Sequence, residues 1–351
     1  MTFRPRPRPR PRHALALLAA LILCTGGAVL AAAPAYAIGT PMPAHVYAPY
    51  FETWTTDSIT TTAQQSGARY FTLAFVEVPT KGSCTPVWNG DAAQTMAAGR
   101  YLSDIGSLRA LGGDVIPSFG GFSADNGGTE LADSCTDVNQ IAAAYESVIT
   151  TYNVTRLDMD VEVKSLSNTA GIDRRNKAIK IVEDWAAAQS RPLQISYTLP
   201  VEPAGLESNG LAVLQNAVAN NARVDVVNIM TFDYYDHVTT QMGAAAISAA
   251  QGLHAQLAAL YPAKTSAQLW AMEGNTILPG IDDFPKKTEV TYLADAQQLL
   301  TFAQANGIGT LSIWAIQRDN GGCPGGRDKN NCSGIVQNTW DFTHLLSPYT
   351  G

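Results

Sequence analysis

The chain has 351 residues, of which 30 are acidic and 23 basic, and 46% of its residues are apolar. This length allows a large buried core, and the acidic balance disfavours binding to nucleic acid or to anionic lipid.

The first 37 residues have the three parts of a secretory signal peptide. Arginines alternate with prolines at the start, an apolar run follows at 14–23, and a small-x-small cleavage site lies at 35–37. The apolar run is too short and too interrupted by glycine for a stable membrane span. We therefore expect a signal at 1–37 and one catalytic domain at 38–351, secreted as a monomer that is not held at a membrane.

Removal of the signal would leave 18 basic and 30 acidic residues, a net charge of −12, which suits a neutral or cationic partner. Four cysteines would remain: Cys84, Cys135, Cys323 and Cys332. An even number in an exported chain predicts two disulfides, with three possible pairings. Closeness in sequence favours Cys323–Cys332, which leaves Cys84–Cys135. Neither pair has the two-residue spacing of a zinc knuckle, so we expect no metal.

Short β-like runs alternate with helical stretches along the rest of the chain. Eight such alternations with short connections predict an α/β fold, a single-domain (β/α)8 TIM barrel. A doubly wound open sheet is the alternative, but no Gly-x-Gly-x-x-Gly follows the first strand. The predicted strands are 45–50, 70–75, 114–119, 156–162, 193–199, 224–231, 268–272 and 309–314, and the predicted helices are 138–151, 174–189, 210–220, 242–260 and 292–306.

The fourth predicted strand carries three acids in alternation with apolar residues. Asp158, Asp160 and Glu162 have the period-2 spacing of a strand, so their carboxyls line one face at intervals of about 6.6 Å. Desolvation and mutual repulsion disfavour ionisation, so at least one carboxyl stays protonated near neutral pH, as a general acid requires. A metal loop and a solvated edge strand are the other interpretations. A calcium loop would need a glycine at its turn and polar residues between the acids.

Polar and aromatic residues also follow other predicted strands at their carboxyl ends, where a barrel places its active site. Aromatic faces beside carboxylates suit a sugar, which offers CH groups for stacking and hydroxyls for hydrogen bonding. The residues concerned are Tyr50 after strand one, Ser118, Gly120 and Gly121 after strand three, Met230, Asp233, Tyr234 and Tyr235 after strand six, and Trp314 after strand eight.

Together these motifs resemble family 18 of the glycoside hydrolases, in particular its compact secreted bacterial chitinases. The resemblance runs from about residue 45 to residue 318. It is carried by Ser118-x-Gly120-Gly121, Asp158-x-Asp160-x-Glu162, Met230-x-x-Asp233 and Trp314.

This resemblance implies retaining hydrolysis of the β-1,4 linkages between N-acetylglucosamine units of chitin or chito-oligosaccharides, without a cofactor. Glu162 would protonate the glycosidic oxygen, and Asp160 would orient the substrate's N-acetyl group, whose carbonyl oxygen attacks to give an oxazolinium. Asp158 would lie deeper and hold the shared proton. The substrate-binding residues would be Tyr50, Ser118, Gly120, Gly121, Met230, Asp233, Tyr234, Tyr235 and Trp314.

The chain departs from the family pattern in three places. Thr155-Arg156 stands where the strand-four motif usually opens with Asp-Gly, which predicts changed packing and retained activity. Phe232 replaces a tyrosine of many relatives, so the hydroxyl that contacts the N-acetyl group would come from Tyr234 or Tyr235. Glu273, placed at the end of the predicted seventh strand, is interpreted either as an extra subsite contact or as a solvated charge.

The short stretch between the seventh predicted strand and the last long helix leaves no room for the insertion that walls the cleft in some relatives. This predicts an open groove and internal chain cleavage. An endo-β-N-acetylglucosaminidase of the chitobiose core of N-glycans would use the same acids and remains an alternative. A non-catalytic chitin-binding lectin is less favoured because Glu162 is present.

Overall fold

The computed structural model describes residues 1–3, 41–282, 289–326 and 330–351. Apart from its first three residues, the predicted signal at 1–37 lies outside the described residues, so its removal stays a prediction. Within the described ranges, no helix is both long and apolar enough to span a membrane.

Eight parallel strands form a closed barrel in which chain neighbours are also sheet neighbours. The first strand has two parts, one paired with the last strand and the other with the second, so the sheet closes on itself. The predicted (β/α)8 barrel is confirmed. The strands are β1 (Val46–Tyr47 and Tyr50–Glu52), β2 (Tyr70–Glu77), β3 (Asp114–Gly120), β4 (Arg156–Asp160), β5 (Gln194–Pro200), β6 (Val226–Met230), β7 (Glu273–Ile277) and β8 (Thr310–Ile313).

Helices pack around the outside of the barrel, and the five predicted long helices are confirmed within about five residues at each end. Local signals set their ends: the Asp137 side chain accepts the first backbone N–H groups of the helix Val138–Tyr152, and Gly307 at φ +77° ends the helix Leu293–Asn306. The helices are α1 (Ile59–Ser66), α2 (Leu102–Ala110), α3 (Phe122–Gly127), α4 (Leu131–Ser134), α5 (Val138–Tyr152), α6 (Thr169–Ala188), α7 (Ser208–Ala219), α8 (Met242–Leu260), α9 (Ser266–Ala271), α10 (Leu293–Asn306) and α11 (Asp341–Leu346). Short strand pairs lie outside the barrel, at Val87–Trp88 against the end of β2 and at Gly280–Ile281 against Val290–Thr291.

The prediction of a strand at 268–272 was wrong, because α9 occupies this stretch. Thr265 and Gln268 exchange hydrogen bonds as a capping box, in which each side chain accepts the other residue's backbone N–H. The seventh strand follows directly as β7. A five-residue apolar run is too short for its periodicity to separate a helix from a strand.

Both interpretations of Glu273 were wrong, because the seventh strand begins at this residue instead of ending there. Glu273 begins β7, at the amino end of the barrel, and its buried Oε1 is hydrogen-bonded to His254 Nδ1 at 3.0 Å. Burial raises the pKa of Glu273 to about 9, so the carboxyl is neutral at pH 7. It therefore contributes to the base of the barrel and not to its mouth.

The apolar core lies mainly between the strands and the helices, and two smaller apolar clusters lie at either end of the barrel interior. Between those ends the interior is polar. Asn228 donates to Thr198 Oγ1 and accepts from Thr276 Oγ1, both at 3.0 Å, and Thr198 is bonded in turn to Asp158. Both predicted disulfides, Cys84–Cys135 and Cys323–Cys332, are confirmed.

Candidate active site

Asp158 lies on the floor of the site, in the middle of β4. Its buried carboxylate accepts four hydroxyl hydrogen bonds: Oδ2 from Ser118 at 2.7 Å and Tyr50 at 3.0 Å, and Oδ1 from Ser196 at 2.6 Å and Thr198 at 2.9 Å. Burial raises the pKa of Asp158, and the hydroxyls oppose this rise because they stabilise the charged form. Both oxygens of Asp158 are thus fully occupied by protein groups.

Asp160 lies two residues further along β4 and is also buried. Its Oδ1 has no hydrogen-bond partner among the described residues. Burial, and then the charges of Glu162, Asp158 and Asp125, raise the pKa of Asp160 well above its usual range. Asp160 is therefore the carboxyl of the row that resists ionisation most, and it keeps one oxygen for a ligand.

Glu162 lies just beyond the end of β4, partly exposed at the mouth of the barrel. Burial raises the pKa of Glu162 to about 7, and a backbone hydrogen bond with Phe122 opposes this rise. A carboxyl with this pKa is protonated in a large fraction of molecules at neutral pH, as a general acid must be. The three predicted acids therefore project to the same end of the barrel at increasing height.

The residue after Glu162 has an unusual backbone conformation. Val163 has φ +33° and a side chain that is 40% exposed. A β-branched residue at positive φ is strained, and strain of this kind occurs where neighbouring structure fixes a functional group. Here it marks the turn by which the chain leaves the row of acids.

A fourth carboxyl, not predicted from the sequence, completes the group. Asp125 lies in α3, is fully buried, and accepts the backbone N–H of Glu162 at 2.5 Å through Oδ2. Burial, and then the charge of Glu130, raise the pKa of Asp125 well above its usual range. The only sequence signal was its place four residues after Gly121, which does not by itself indicate a contact with strand four.

The glycines at the end of β3 allow close packing against neighbouring elements. Gly120 and Gly121 have φ +102° and +85°. A Cβ atom at Gly120 would overlap the carbonyl oxygen of Asp160, and one at Gly121 would lie 2.6 Å from the Phe75 ring. The two glycines are buried, as are Ser118 and Tyr50. The structure thus places these four candidate substrate-binding residues beneath and beside the acids, where they position the acids.

Trp314 lies at the centre of an aromatic surface at the mouth of the barrel. Its ring centroid is 5.6 Å from Phe75 with nearly parallel planes, 5.4 Å from Tyr50 and 6.3 Å from Trp54. Trp54 also stacks on Phe75 and is 44% exposed. Phe75 and Trp54 were missed because a single aromatic residue at a strand end is more often part of the core. The exposed ring of Trp54 and the partly exposed ring of Trp314 offer flat apolar faces next to the acids.

The turn after β6 is held by carboxylates from the segment after β7. Asp282 Oδ2 accepts the backbone N–H of Asp233 at 3.0 Å, and Glu289 accepts those of Tyr234 and Tyr235 at 3.1 Å each. Asp233 and Tyr235 have φ +54° and +57°, a conformation that costs energy in non-glycine residues. The three N–H bonds therefore fix a strained turn.

The two tyrosines offered as substitutes for the hydroxyl missing at Phe232 differ in exposure. Tyr234 is 3% exposed, whereas Tyr235 is 51% exposed. Met230, which ends β6, is largely buried. Of the two tyrosines, only Tyr235 presents its ring at the surface.

A closed parallel barrel with a row of buried carboxyls and an aromatic surface at one mouth is the active-site architecture of a carbohydrate-cleaving enzyme. Among the described residues, no cluster of three or more His, Cys, Asp or Glu side chains could hold a metal ion.

Comparison with known proteins defines the family. Residues 46–282 match the model of the glycosyl hydrolases family 18, and the chain belongs to that family. The chain is 35% identical over 330 residues to a probable bifunctional chitinase/lysozyme of Escherichia coli strain K12, an alignment that covers 89% of this chain and 36% of that protein. It is 36% identical over 295 residues to Endochitinase 11 of Metarhizium anisopliae, covering 80% and 54%. The chain thus spans between a third and somewhat more than half of the length of these relatives.

A solved structure agrees over the whole barrel. Catalytic-site mutants of active domain 2 of the Pyrococcus furiosus chitinase, complexed with chito-oligosaccharides, match this chain with a TM-score of 0.76 and 30% identity. The match covers 88% of this chain and 95% of that one. The resemblance read from the four motifs is confirmed at the level of family and fold.

Proposed function

We propose that the chain is a chitinase, which hydrolyses β-1,4 linkages between N-acetylglucosamine units in chitin and chito-oligosaccharides. The observation that carries this proposal is the pairing of a partly exposed Glu162, whose pKa is raised to about 7, with Asp160, which keeps an unpartnered oxygen. Both open onto the mouth that holds the aromatic surface around Trp314. The relatives named as chitinases in the same family support the substrate class.

Hydrolysis proceeds with help from the substrate's own acetamido group. Glu162 gives its proton to the glycosidic oxygen as the bond from that oxygen to the anomeric carbon breaks. The acetamido carbonyl oxygen attacks the same carbon from the opposite face and forms an oxazolinium. Water then attacks the anomeric carbon as the bond from that carbon to the acetamido oxygen breaks, and the water gives a proton to the Glu162 carboxylate. Two inversions give net retention of configuration.

The other two acids have different tasks. The unpartnered oxygen of Asp160 accepts the acetamido N–H and orients the carbonyl oxygen for attack. The charge that develops on the acetamido nitrogen is then stabilised by nearby carboxylates. Asp158 lies two residues before Asp160 on β4, and four hydroxyl groups hold its carboxyl in place, which costs no reorganisation during the reaction.

We further propose that cleavage is internal and that the protein acts after export, as a monomer that is not bound to a membrane. Only residues 278–292 separate β7 from α10, too few for a domain that would wall the cleft. The name of one relative, Endochitinase 11, is in line with internal cleavage. The two disulfides and the signal-like sequence at 1–37 support export.

A defined N-acetylglucosamine hexamer, digested in heavy-oxygen water and followed by mass spectrometry, tests the function. We expect fragments of two to four units with one heavy oxygen at the new reducing end. Release of dimers from one chain end alone would contradict internal cleavage. Parallel assays on colloidal chitin and on a high-mannose glycoprotein separate a chitinase from an N-glycan endoglycosidase.

Substitution of the acid tests the mechanism. Glu162→Gln removes the transferable proton and should lower kcat by a factor of at least about 100, since general acids contribute about 10²–10⁴-fold. Glu207→Gln, on the exposed start of α7, is the matched control and should retain the parent rate. A Glu162→Gln protein with full activity would remove the acid assignment.

A further inference from the structure

Asp125 is a buried carboxyl that the mechanism above does not use. We propose that Asp125 is a positioning residue for the catalytic acid: its carboxyl accepts the Glu162 N–H and anchors the backbone of the acid. This inference rests on the proposed function, because it assigns Asp125 to the same reaction.

The anchor lies just beyond the end of β4, where the chain leaves the sheet. The last hydrogen bond from this strand to β5 is made by the Val161 N–H, which donates to the Thr198 carbonyl at 2.9 Å. The next N–H, that of Glu162, has left the sheet and donates to Asp125 Oδ2. Asp125 thus supplies, from α3, the acceptor that a strand partner no longer provides. Without it the backbone of the acid would lose its anchor on this side.

Helix α3 is itself fixed against β4. The Gly121 N–H donates to the Asp160 carbonyl at 3.2 Å, and the Asp125 N–H donates to the Gly121 carbonyl at 3.0 Å. A chain of backbone bonds therefore joins Asp160, Gly121 and Asp125 and returns through the Asp125 carboxylate to Glu162. This closed loop sets the height of Glu162 relative to Asp160.

Several charged groups surround Asp125. Glu130 and Arg175 form a buried ion pair at 2.9 Å, whose charges largely cancel. A cavity of about 370 Å³ lies on the outer side of Asp125, and two lysines line it. The groups that face Asp125 are Asp160 and Glu162 at the end of β4, Glu130 and Asp133 around α4, Arg175 on α6, and Lys81 and Lys164 at the cavity.

The carboxyls in this group titrate together. Asp125 Oδ1 has no hydrogen-bond partner among the described residues and lies 3.1 Å from the position of a Cβ on Gly120. The charge of Glu162 raises the pKa of Asp125 and of Asp160, so the three titrations are coupled. The anchor does not depend on a charge, because a neutral Asp125 carboxyl still has an oxygen that accepts the Glu162 N–H.

Two substitutions test the anchor. Asp125→Asn keeps an oxygen that can accept the Glu162 N–H, so its kcat should stay within about threefold of the parent at every pH. Asp125→Ala removes the acceptor, and kcat should fall about tenfold at every pH. Asp133→Asn is the matched control, because Asp133 is bonded to Ser165 and Asn168 and not to Glu162.

A second measurement needs no substrate. The backbone amide NMR signal of Glu162, assigned with Glu162→Gln, should keep its proton shift in Asp125→Asn and in Asp133→Asn and move upfield in Asp125→Ala, where the N–H has lost its acceptor. Full activity of Asp125→Ala, or a loss in Asp125→Asn as large as that in Asp125→Ala, would overturn the anchoring role. Absence of hydrolysis by the parent protein would refute the proposed function, and the amide signal would still decide the link between Asp125 and Glu162.

Discussion

Ser118→Ala removes one of the four hydroxyl groups that surround Asp158. The Ser118 Oγ lies 2.7 Å from Asp158 Oδ2, and both residues are buried. Water has no open path to replace the missing donor. In the variant, the ionised Asp158 carboxylate keeps its hydrogen bonds from Tyr50, Ser196 and Thr198 and loses one of its four.

Hydrogen bonds to charged groups contribute about 1.5–3 kcal/mol. We therefore expect Ser118→Ala to lower the free energy of unfolding by about 2 kcal/mol at neutral pH. The same loss raises the pKa of Asp158 further, because the ionised carboxylate has one donor fewer. Because the folded-state pKa of Asp158 is already raised, its ionised form costs stability above that pKa. The loss in free energy of unfolding caused by Ser118→Ala is therefore largest above that pKa. It shrinks as falling pH protonates Asp158 in both proteins.

Urea unfolding at several pH values between 4 and 8 measures this deficit. Ser107→Ala is the matched control, because Ser107 is exposed and its hydroxyl donates only to a carbonyl of its own helix. The control should change stability by less than about 0.5 kcal/mol. If Ser118→Ala matched the control, or if its deficit did not depend on pH, the hydroxyls would not be stabilising a charge on Asp158.

Four further outcomes are expected. The kcat for hexamer hydrolysis should fall as pH rises through about 7, because Glu162 must be protonated; a constant rate up to pH 9 would contradict this. Val163→Gly should raise the unfolding free energy by about 1 kcal/mol in a thermal melt, since glycine adopts φ +33° without strain; a lower melting temperature would contradict the strain. Replacing Cys84 and Cys135 by serine should cost about 4 kcal/mol in urea unfolding, because the disulfide closes a 51-residue separation; a loss below about 1 kcal/mol would refute the estimate. Trp54→Ala should raise KM for the hexamer about fivefold and KM for the trimer less, measured by reducing-end release; equal effects would place Trp54 close to the scissile bond.

The acids on β4 could be predicted because the period of a strand is a local property of the backbone. Alternation of Asp158 and Asp160 with apolar residues is sufficient to place their carboxyls on one face. The place of that strand in the barrel followed from eight regular alternations, which leave few other topologies. Glu162 was assigned correctly to the same end, although β4 ends before it.

Asp125 could not be predicted, because its contact with Glu162 joins residues 37 positions apart through the packing of α3 on β4. The prediction of a strand at 268–272 was wrong for a different reason. The apolar run there fits a helix as well as a strand, and the capping box of Thr265 and Gln268 favours the helix. The aromatic surface was found only at Trp314. Which rings join it depends on how β1 and β2 meet β8, and no local pattern carries that information.

Arg156, one of the residues that depart from the family pattern, lies at the base of the barrel. Its buried guanidinium donates to Gln194 Oε1 at 2.8 Å and to Thr310 Oγ1 at 3.3 Å, which links β4 to β5 and β8. Burial lowers the pKa of Arg156 to about 10, so the group stays charged at neutral pH. The change lies at the opposite end of β4 from Glu162.

The hydrogen bonds that Asp282 and Glu289 accept from the turn after β6 limit how the groove can be engineered. Loop exchange between relatives is a common way to alter groove specificity, and the segment after β7 is an obvious candidate for transplantation. The backbone conformation of Asp233 is stabilised from that segment by side-chain acceptors. A donor loop without both acidic residues would release the turn and disturb one wall of the groove, even if the new loop never met a sugar.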